Sequence, residues 1–219
     1  SKVSTAGPPH HIKHQVGQLT TLHQVSAAIA RTLDLQLILH TVLQLLITNL
    51  GFTRMFVTLR HHEQDTAYVA HIAGVEPDIE EAAYRLDVPI RNDGGLQADL
   101  LIHGKPLLVP SLAAVADRMN PPVLELARLT GVTSFVAVPL QSQNQVLGYL
   151  AGDRGSQPCT AEDLHLLMTI AGHVAAAIDN ARAYSHLETF TQYLEQRIAE
   201  RTQELSTANE RLQAHDRRR

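Results

Sequence analysis

The sequence predicts an α+β fold: a central antiparallel sheet of five or six strands with helices on both faces, plus a long C-terminal coiled-coil helix. Three observations carry this expectation. Residues 53–60 with 67–73, and 134–141 with 146–153, alternate with a period of two and read as hairpins. Helical patterns stand before, between and after these hairpins, which describes an α+β domain and not a doubly wound one. From Leu164 onward there is no Pro and only one Gly, Gly172, so a helix can run for about fifty residues, roughly 80 Å.

Taken in order, residues 1–14 (SKVSTAGPPHHIKH) predict a flexible N-terminal segment. Gln15 to Thr32 reads as an amphipathic helix, with Val16, Leu19, Leu22, Val25, Ile29 and Leu33 at spacings of three and four. Asp34 is placed to cap a second helix, 35–50, and Gly51 to supply its left-handed stop. After the first hairpin, Tyr84 to Val88 reads as a short third strand, Asn92-Asp93-Gly94-Gly95 as a turn, and Leu96 to Ile102 as a short helix ending at Gly104. Pro106 to Val109 is extended, Ser111 is placed to cap a helical turn, and Val123 to Leu129 is another short helix. Ser142-Gln143-Asn144-Gln145 joins the second hairpin. Thr160 then caps the last helix, and Asp163, at its third position, answers with its carboxylate.

Residues 164–184 of that helix are apolar on most faces, as for a helix packed into a domain. Beyond Tyr184 the apolar positions thin to a seam at heptad spacing. Tyr184, Thr191, Ile198, Leu205 and Leu212 form one column; Leu187, Leu194, Arg201 and Ala208 form the other. The expected division is therefore a segment 1–14, a globular domain 15–184 and a coiled coil 185–219 that pairs as a homodimer.

The 219 residues suffice for one domain of about 150 plus helical extensions. A hydrophobic content of 44% supports a core, and the net charge of -4 argues against general affinity for nucleic acid. The single cysteine, Cys159, excludes an internal disulfide and fits a cytoplasmic setting. No run reaches the length of a membrane span, so no membrane contact is expected in this stretch. A missing initiator Met and a rod that stops in mid-pattern lead us to expect a piece of a longer protein.

Signatures of metalloprotease, Walker, Rossmann and CxxC chemistry are absent, so neither catalytic residues nor a metal site are expected, and the cofactor is left unknown. The best binding candidate is Arg91-Asn92-Asp93-Gly94-Gly95 at the mouth of the short helix. Glycines there let backbone N–H groups approach a ligand, and the helix start with Arg91 favours an anion. A capped helix start without a ligand is the competing reading, with Asp93 as the cap. His71, in the second strand, is either a pocket contact or a hydrogen-bonded sheet histidine. His103 is either a ligand contact or a favourable cation at a helix end, and His165 and His173 read as boundary residues under the sheet. A metal site at His10, His11 and His14 competes with an adventitious cluster. Cys159, beside a helix start, is a conceivable redox thiol but has no second cysteine to resolve it.

These stretches resemble a known family. Gly94-Gly95-Leu96, followed by Gly104-Lys105-Pro106-Leu107, is similar to the GAF-domain stretch G-x-G-L-A-G…T-G-x-P-L. The run from Gly131 to Leu140 (GVTSFVAVPL) resembles the family's G-(I/V)-x-S-x-L-A-V-P-L strand. Val146-Leu147-Gly148-Tyr149-Leu150 and Thr160-Ala161-Glu162-Asp163-Leu164 resemble its V-I-G-V-L…F-T-x-E-D-L passage. The resemblance covers roughly residues 17–185 and implies a PAS-like sheet with a helical layer on one face and a ligand pocket on the other.

This sequence departs from the family pattern at Asp93, Ala98 and Cys159. Asp153-Arg154 stands nearest to the Asn-Lys of cyclic-nucleotide-binding members. No cysteine occupies the bilin-attachment position, and the methionine sulfoxide reductases of this fold use several cysteines. The stretch from Arg197 to Leu212 resembles the signalling helix that leads into bacterial histidine kinases or diguanylate cyclases. The resemblance thus implies a sensory GAF module of a bacterial two-component histidine kinase that binds an unknown small molecule and relays through the coiled coil. The alternatives are another output domain, a GAF that only dimerises, or a redox or metal enzyme.

Overall fold

The computed structural model describes residues 10–61 and 63–216, with side chains from Gly17 to Ala214. Residues 1–9 and the side chains of His10, His11, His14 and Val16 lie outside that description. Helix α1 (His10–Ala30) starts earlier than its apolar pattern. Val25 is fully buried and Leu22 and Ile29 are half-buried, but Leu19 and Leu33 are exposed. The expected apolar face is therefore covered only in its middle, where α1 packs on α2 (Leu35–Leu50). The Leu37 N–H donates to Asp34 Oδ1 at 3.1 Å, and Gly51, at φ 73°, closes α2 in the left-handed conformation.

Six strands form one sheet: β1 (Arg54–Arg60), β2 (Thr66–Ala73), β3 (Asp87–Pro89), β4 (Leu107–Val109), β5 (Phe135–Ser142) and β6 (Gln145–Asp153). Their order is β3-β2-β1-β6-β5-β4, and every neighbouring pair is antiparallel. The β5–β6 hairpin turns on Gln143 and Asn144, both at positive φ, as a two-residue loop between twisted strands requires.

Alternation along β1 sends Met55, Val57 and Leu59 to one face and Arg54, Phe56 and Thr58 to the other. Register carries both rows across the sheet: Val57 lies opposite Leu150, itself opposite Val138, whereas Thr58 lies opposite Tyr149. The first face packs against α2 and forms the main core, with Ile38, Leu39, Val42, Leu43 and Leu46 no more than 1% exposed. A bulge interrupts the β1–β2 pairing. Val57 pairs with His71 but Thr58 pairs with Val69, so one residue of β2 is passed over and the strand's alternation is re-phased.

Between the strands lie α3 (Pro77–Tyr84), α4 (Leu96–Leu101), α5 (Leu112–Val115) with a following 3₁₀ turn at 116–118, and α6 (Pro121–Thr130). The expected strand from Tyr84 to Val88 is corrected: Tyr84 ends α3, and β3 holds only three residues. Pro77 at the first helical turn, with Asp78 and Glu80 behind it, is a helix start that the sequence reading passed over. Ser111 precedes α5 but makes no side-chain cap.

The last helix, α7 (Ala161–Asp216), is continuous over 56 residues. Its start is a reciprocal cap: the Thr160 N–H donates to Asp163 Oδ2 at 2.8 Å, and the Asp163 N–H to Thr160 Oγ1 at 3.3 Å. Leu167, Ile170, Val174 and Ile178 are fully buried, and Leu164 is half-buried. His165 and His173, expected at a buried boundary, are exposed.

The chain divides into two units, 1–179 and 180–219. In the second, Leu187, Leu194, Ile198, Leu205 and Leu212 are all exposed. Among the described residues no helix is long and apolar enough to cross a membrane, and no group of three or more His, Cys, Asp or Glu could hold a metal ion.

Candidate functional site

The second face of the sheet is roofed by helices over a partly open chamber of about 120 Å³. Its floor comes from the alternating residues of β1, Arg54, Phe56 and Thr58, with Ala67, Val69 and Ile72 of β2 and Tyr149 of β6. The β2 bulge is what lets Val69 and Ile72 both face it. The roof is α3, α4 and α6, which contribute Ala83, Gln97, Val123, Leu126, Ala127 and Thr130. No residue of α6 is fully buried. Its apolar residues Val123, Leu126 and Ala127 are only half-buried and line the chamber.

The chamber's polar groups are few, and its two charged groups are engaged with each other. Arg54 donates Nη2 to Asp153 Oδ2 at 2.6 Å and Nε to Oδ1 at 2.9 Å, and its Nη1 donates to the Thr130 carbonyl at the end of α6. Hydrogen bonding to Asp153 raises the Arg54 pKa against the opposing effect of burial, so the cation is held firmly. Tyr149 is 5% exposed and meets Phe56 edge to face, ring centroids 5.9 Å apart. Burial pushes its hydroxyl pKa up, against weaker opposite pulls from Thr58 and Gln97. Although Thr58 Oγ1 is near enough to exert that pull, it is buried and completes no hydrogen bond.

A second, polar cavity of about 360 Å³ adjoins the chamber and shares Gln97 and Met119 with it. Four of the six residues singled out in the sequence line it: Arg91, Asp93, Gly94 and Gly95. Arg91 is exposed and has no partner among the described residues. Asp93 Oδ1 accepts the Gly95 N–H at 2.9 Å, so that amide already has its acceptor. Arg118 donates Nε and Nη2 to the Gly94 carbonyl, at 3.1 and 2.9 Å, and Nη2 also to Asp99 Oδ2 at 2.8 Å. Asn92 is exposed and does not line the cavity.

His71 lies apart from both cavities, where the bulge turns it toward α2. Its Nε2 is 3.3 Å from His40 Nδ1, and its Nδ1 is 3.4 Å from the Tyr84 hydroxyl. Burial and the neighbouring His40 lower its pKa, with Glu80 opposing. His103 is exposed.

The thiol of Cys159 is buried, and burial followed by the Asp163 charge raises its pKa; the expected thiolate-favouring effect of a helix start is overcome. Asp153 and Arg154, the pair nearest the nucleotide-binding signature, are both engaged. Arg154 donates Nη2 to Asp163 at 2.6 Å and Nη1 to the Leu50 carbonyl at 2.7 Å, and lies 4.6 Å over the Phe52 ring.

Arg54, Thr58, Gln97 and Tyr149 were missed as site residues. The signal was present in TRMFVTLR: one threonine in the same alternating row as a phenylalanine, on the face opposite Met55, Val57 and Leu59.

An antiparallel sheet with one packed face and one face roofed by short helices defines a small α+β domain. The GAF domain family model matches residues 34–178, and the chain belongs to that family. The circadian input-output histidine kinase CikA of Synechococcus elongatus is 31% identical over 107 residues, covering 48% of this chain and 14% of the kinase. The GAF domain of an Acinetobacter phosphoenolpyruvate-protein phosphotransferase superposes with a TM-score of 0.62 at 16% identity, covering 76% of this chain and 95% of that one. Free methionine-R-sulfoxide reductase from Neisseria meningitidis, solved with its substrate, gives a TM-score of 0.63 at 18% identity, covering 84% and 98%.

Proposed function

We propose that this chain is the sensory module of a bacterial signalling protein, a sensor histidine kinase, which takes a small molecule into the chamber and passes the event along α7. The observation that carries the reading is α6, a roof helix whose half-buried apolar residues line the chamber, with no residue fully buried. A ligand would complete that missing core. Kinship with a histidine kinase supports the choice of output.

The relay runs through two consecutive residues. Asp153 lines the chamber and holds Arg54, which in turn holds the end of α6. Arg154 grips both the end of α2 and the first turn of α7. A ligand that lifts or seats α6 shifts this strand end, and with it the start of α7. Paired in parallel across its 184–212 seam, α7 would carry the shift as a homodimer. The polar cavity is the second holding place, where Arg91 would meet an anionic group on a ligand.

Native mass spectrometry of the purified chain tests the reading. A retained small molecule is expected, lost from Ala127→Phe, which fills the chamber. If nothing is retained and Ala127→Phe is simply more stable, the chamber is a packing gap and the domain acts only as a spacer and dimeriser.

A further inference from the structure

We propose that the chamber receives a neutral single-ring molecule bearing one hydrogen-bonding oxygen, a phenol-type compound, and that Thr58 and Tyr149 read that oxygen. This rests on the sensory reading, and narrows it to a ligand class.

Size comes first. A partly open chamber of about 120 Å³ is close in volume to an engineered core cavity of about 150 Å³ that takes benzene. The Phe56 and Tyr149 rings, already edge to face, offer an aromatic wall for one more ring.

Polarity comes second. Thr58 is 3% exposed, lines the chamber, and its hydroxyl has no hydrogen-bond partner. A buried hydroxyl left unpaired is unfavourable, and a ligand oxygen would relieve it. Tyr149 lies directly across the strand pair from Thr58, and Gln97 borders the same space. Thr58 and Gln97 can each donate or accept, and the buried Tyr149 hydroxyl stays protonated as a donor. A ligand hydroxyl, which also does both, suits that trio.

Charge comes third. Arg54 donates three of its five N–H groups to Asp153 and to the Thr130 carbonyl, and its charge is paired with the Asp153 carboxylate. Asp153 accepts from Arg54 and from the Gly155 N–H. The two charges neutralise each other, so an ion brought into this largely apolar space would give up water without an unpaired counter-charge to meet it.

The test is calorimetric titration of the 219-residue chain with phenol, toluene and benzoate. Phenol and toluene share a shape and differ by hydroxyl against methyl. Phenol is expected to bind at least tenfold more tightly than toluene, with benzoate undetectable over the same range. Thr58→Val keeps the side-chain shape, should weaken phenol about fivefold, and should leave toluene unchanged or tighter. A merely structural role for Thr58 would move both probes together.

Toluene equal to phenol, or benzoate the tightest, overturns the proposal, and that ranking on the unmodified protein decides even if Thr58→Val folds poorly. If none of the three binds while a retained molecule is expelled by Ala127→Phe, the ring assignment fails and the sensory reading stands. If none binds and nothing is retained, both fail.

Discussion

Asp163 answers to three groups at once: the Thr160 N–H, and Nε and Nη2 of Arg154. Burial pushes its pKa up, but those bonds and the Arg154 charge outweigh it, and the carboxyl sits below its ordinary value. A depressed folded pKa stabilises the fold fully above the unfolded value of about 3.9, and that contribution drains away as pH falls through the lower folded value. Urea melts between pH 7 and pH 3 should show this acid limb, and Asp163→Asn should flatten it while lowering stability at pH 7 by roughly 3 kcal/mol. An unchanged limb would show that the carboxylate does not set it. Arg91→Ala is the contrasting case. It removes an exposed, unpartnered cation, so stability should stay within about 0.5 kcal/mol. Any anion held in the polar cavity should lose at least tenfold in calorimetric affinity, while phenol in the chamber is unaffected. The Thr160–Asp163 cap was legible because both partners sit within one helical turn. Arg154, which completes it, also reaches back to Leu50, and no local pattern announces a contact across that much chain. His71 shows the same limit: simple alternation cannot see the bulge that turns it from the chamber.

At the scale of elements, α6 and α7 stand for opposite regimes of packing. Ile170 of α7 is fully buried, and Ile170→Ala should cost about 2–5 kcal/mol in denaturant melts. A loss below roughly 1 kcal/mol would mean that the local core collapses around the gap. For α6, enlarging a side chain should do no harm. Overpacking a filled core costs about 1–3 kcal/mol, whereas Ala127→Phe enters empty space and should leave the melting temperature equal or higher. A clear drop in that temperature would show that the roof is already closed. Helices α2 and α7 were readable because their apolar residues and caps repeat locally. The short α3 was not, since PDIEEAAY buries only Ala83 and offers no apolar stripe to find.

At the scale of the molecule, Leu187, Leu194, Ile198, Leu205 and Leu212 form an exposed apolar seam among the described residues. Each such side chain gains about 1.5–3 kcal/mol on burial, enough together to outweigh the entropy of pairing. Sedimentation at tens of micromolar should therefore give a dimer, and Ile198→Asp with Leu205→Asp a monomer; a monomeric unmodified chain would remove the seam as an interface. The sheet argues from the other side. Both of its outer strands, β3 and β4, are three residues long. Proline stands within the first at Pro89 and beside the second at Pro106 and Pro110. Residues of that kind supply few backbone groups for an incoming extended peptide. A partner that recruits its targets by strand addition finds only three residues of ladder on each of these outer strands, and a second copy finds equally little on them for stacking edge to edge. Among the described residues, exposed helical side chains such as Leu187, Leu194 and Ile198 offer a partner more to recognise than these two strands do, and sequence can tune them one residue at a time.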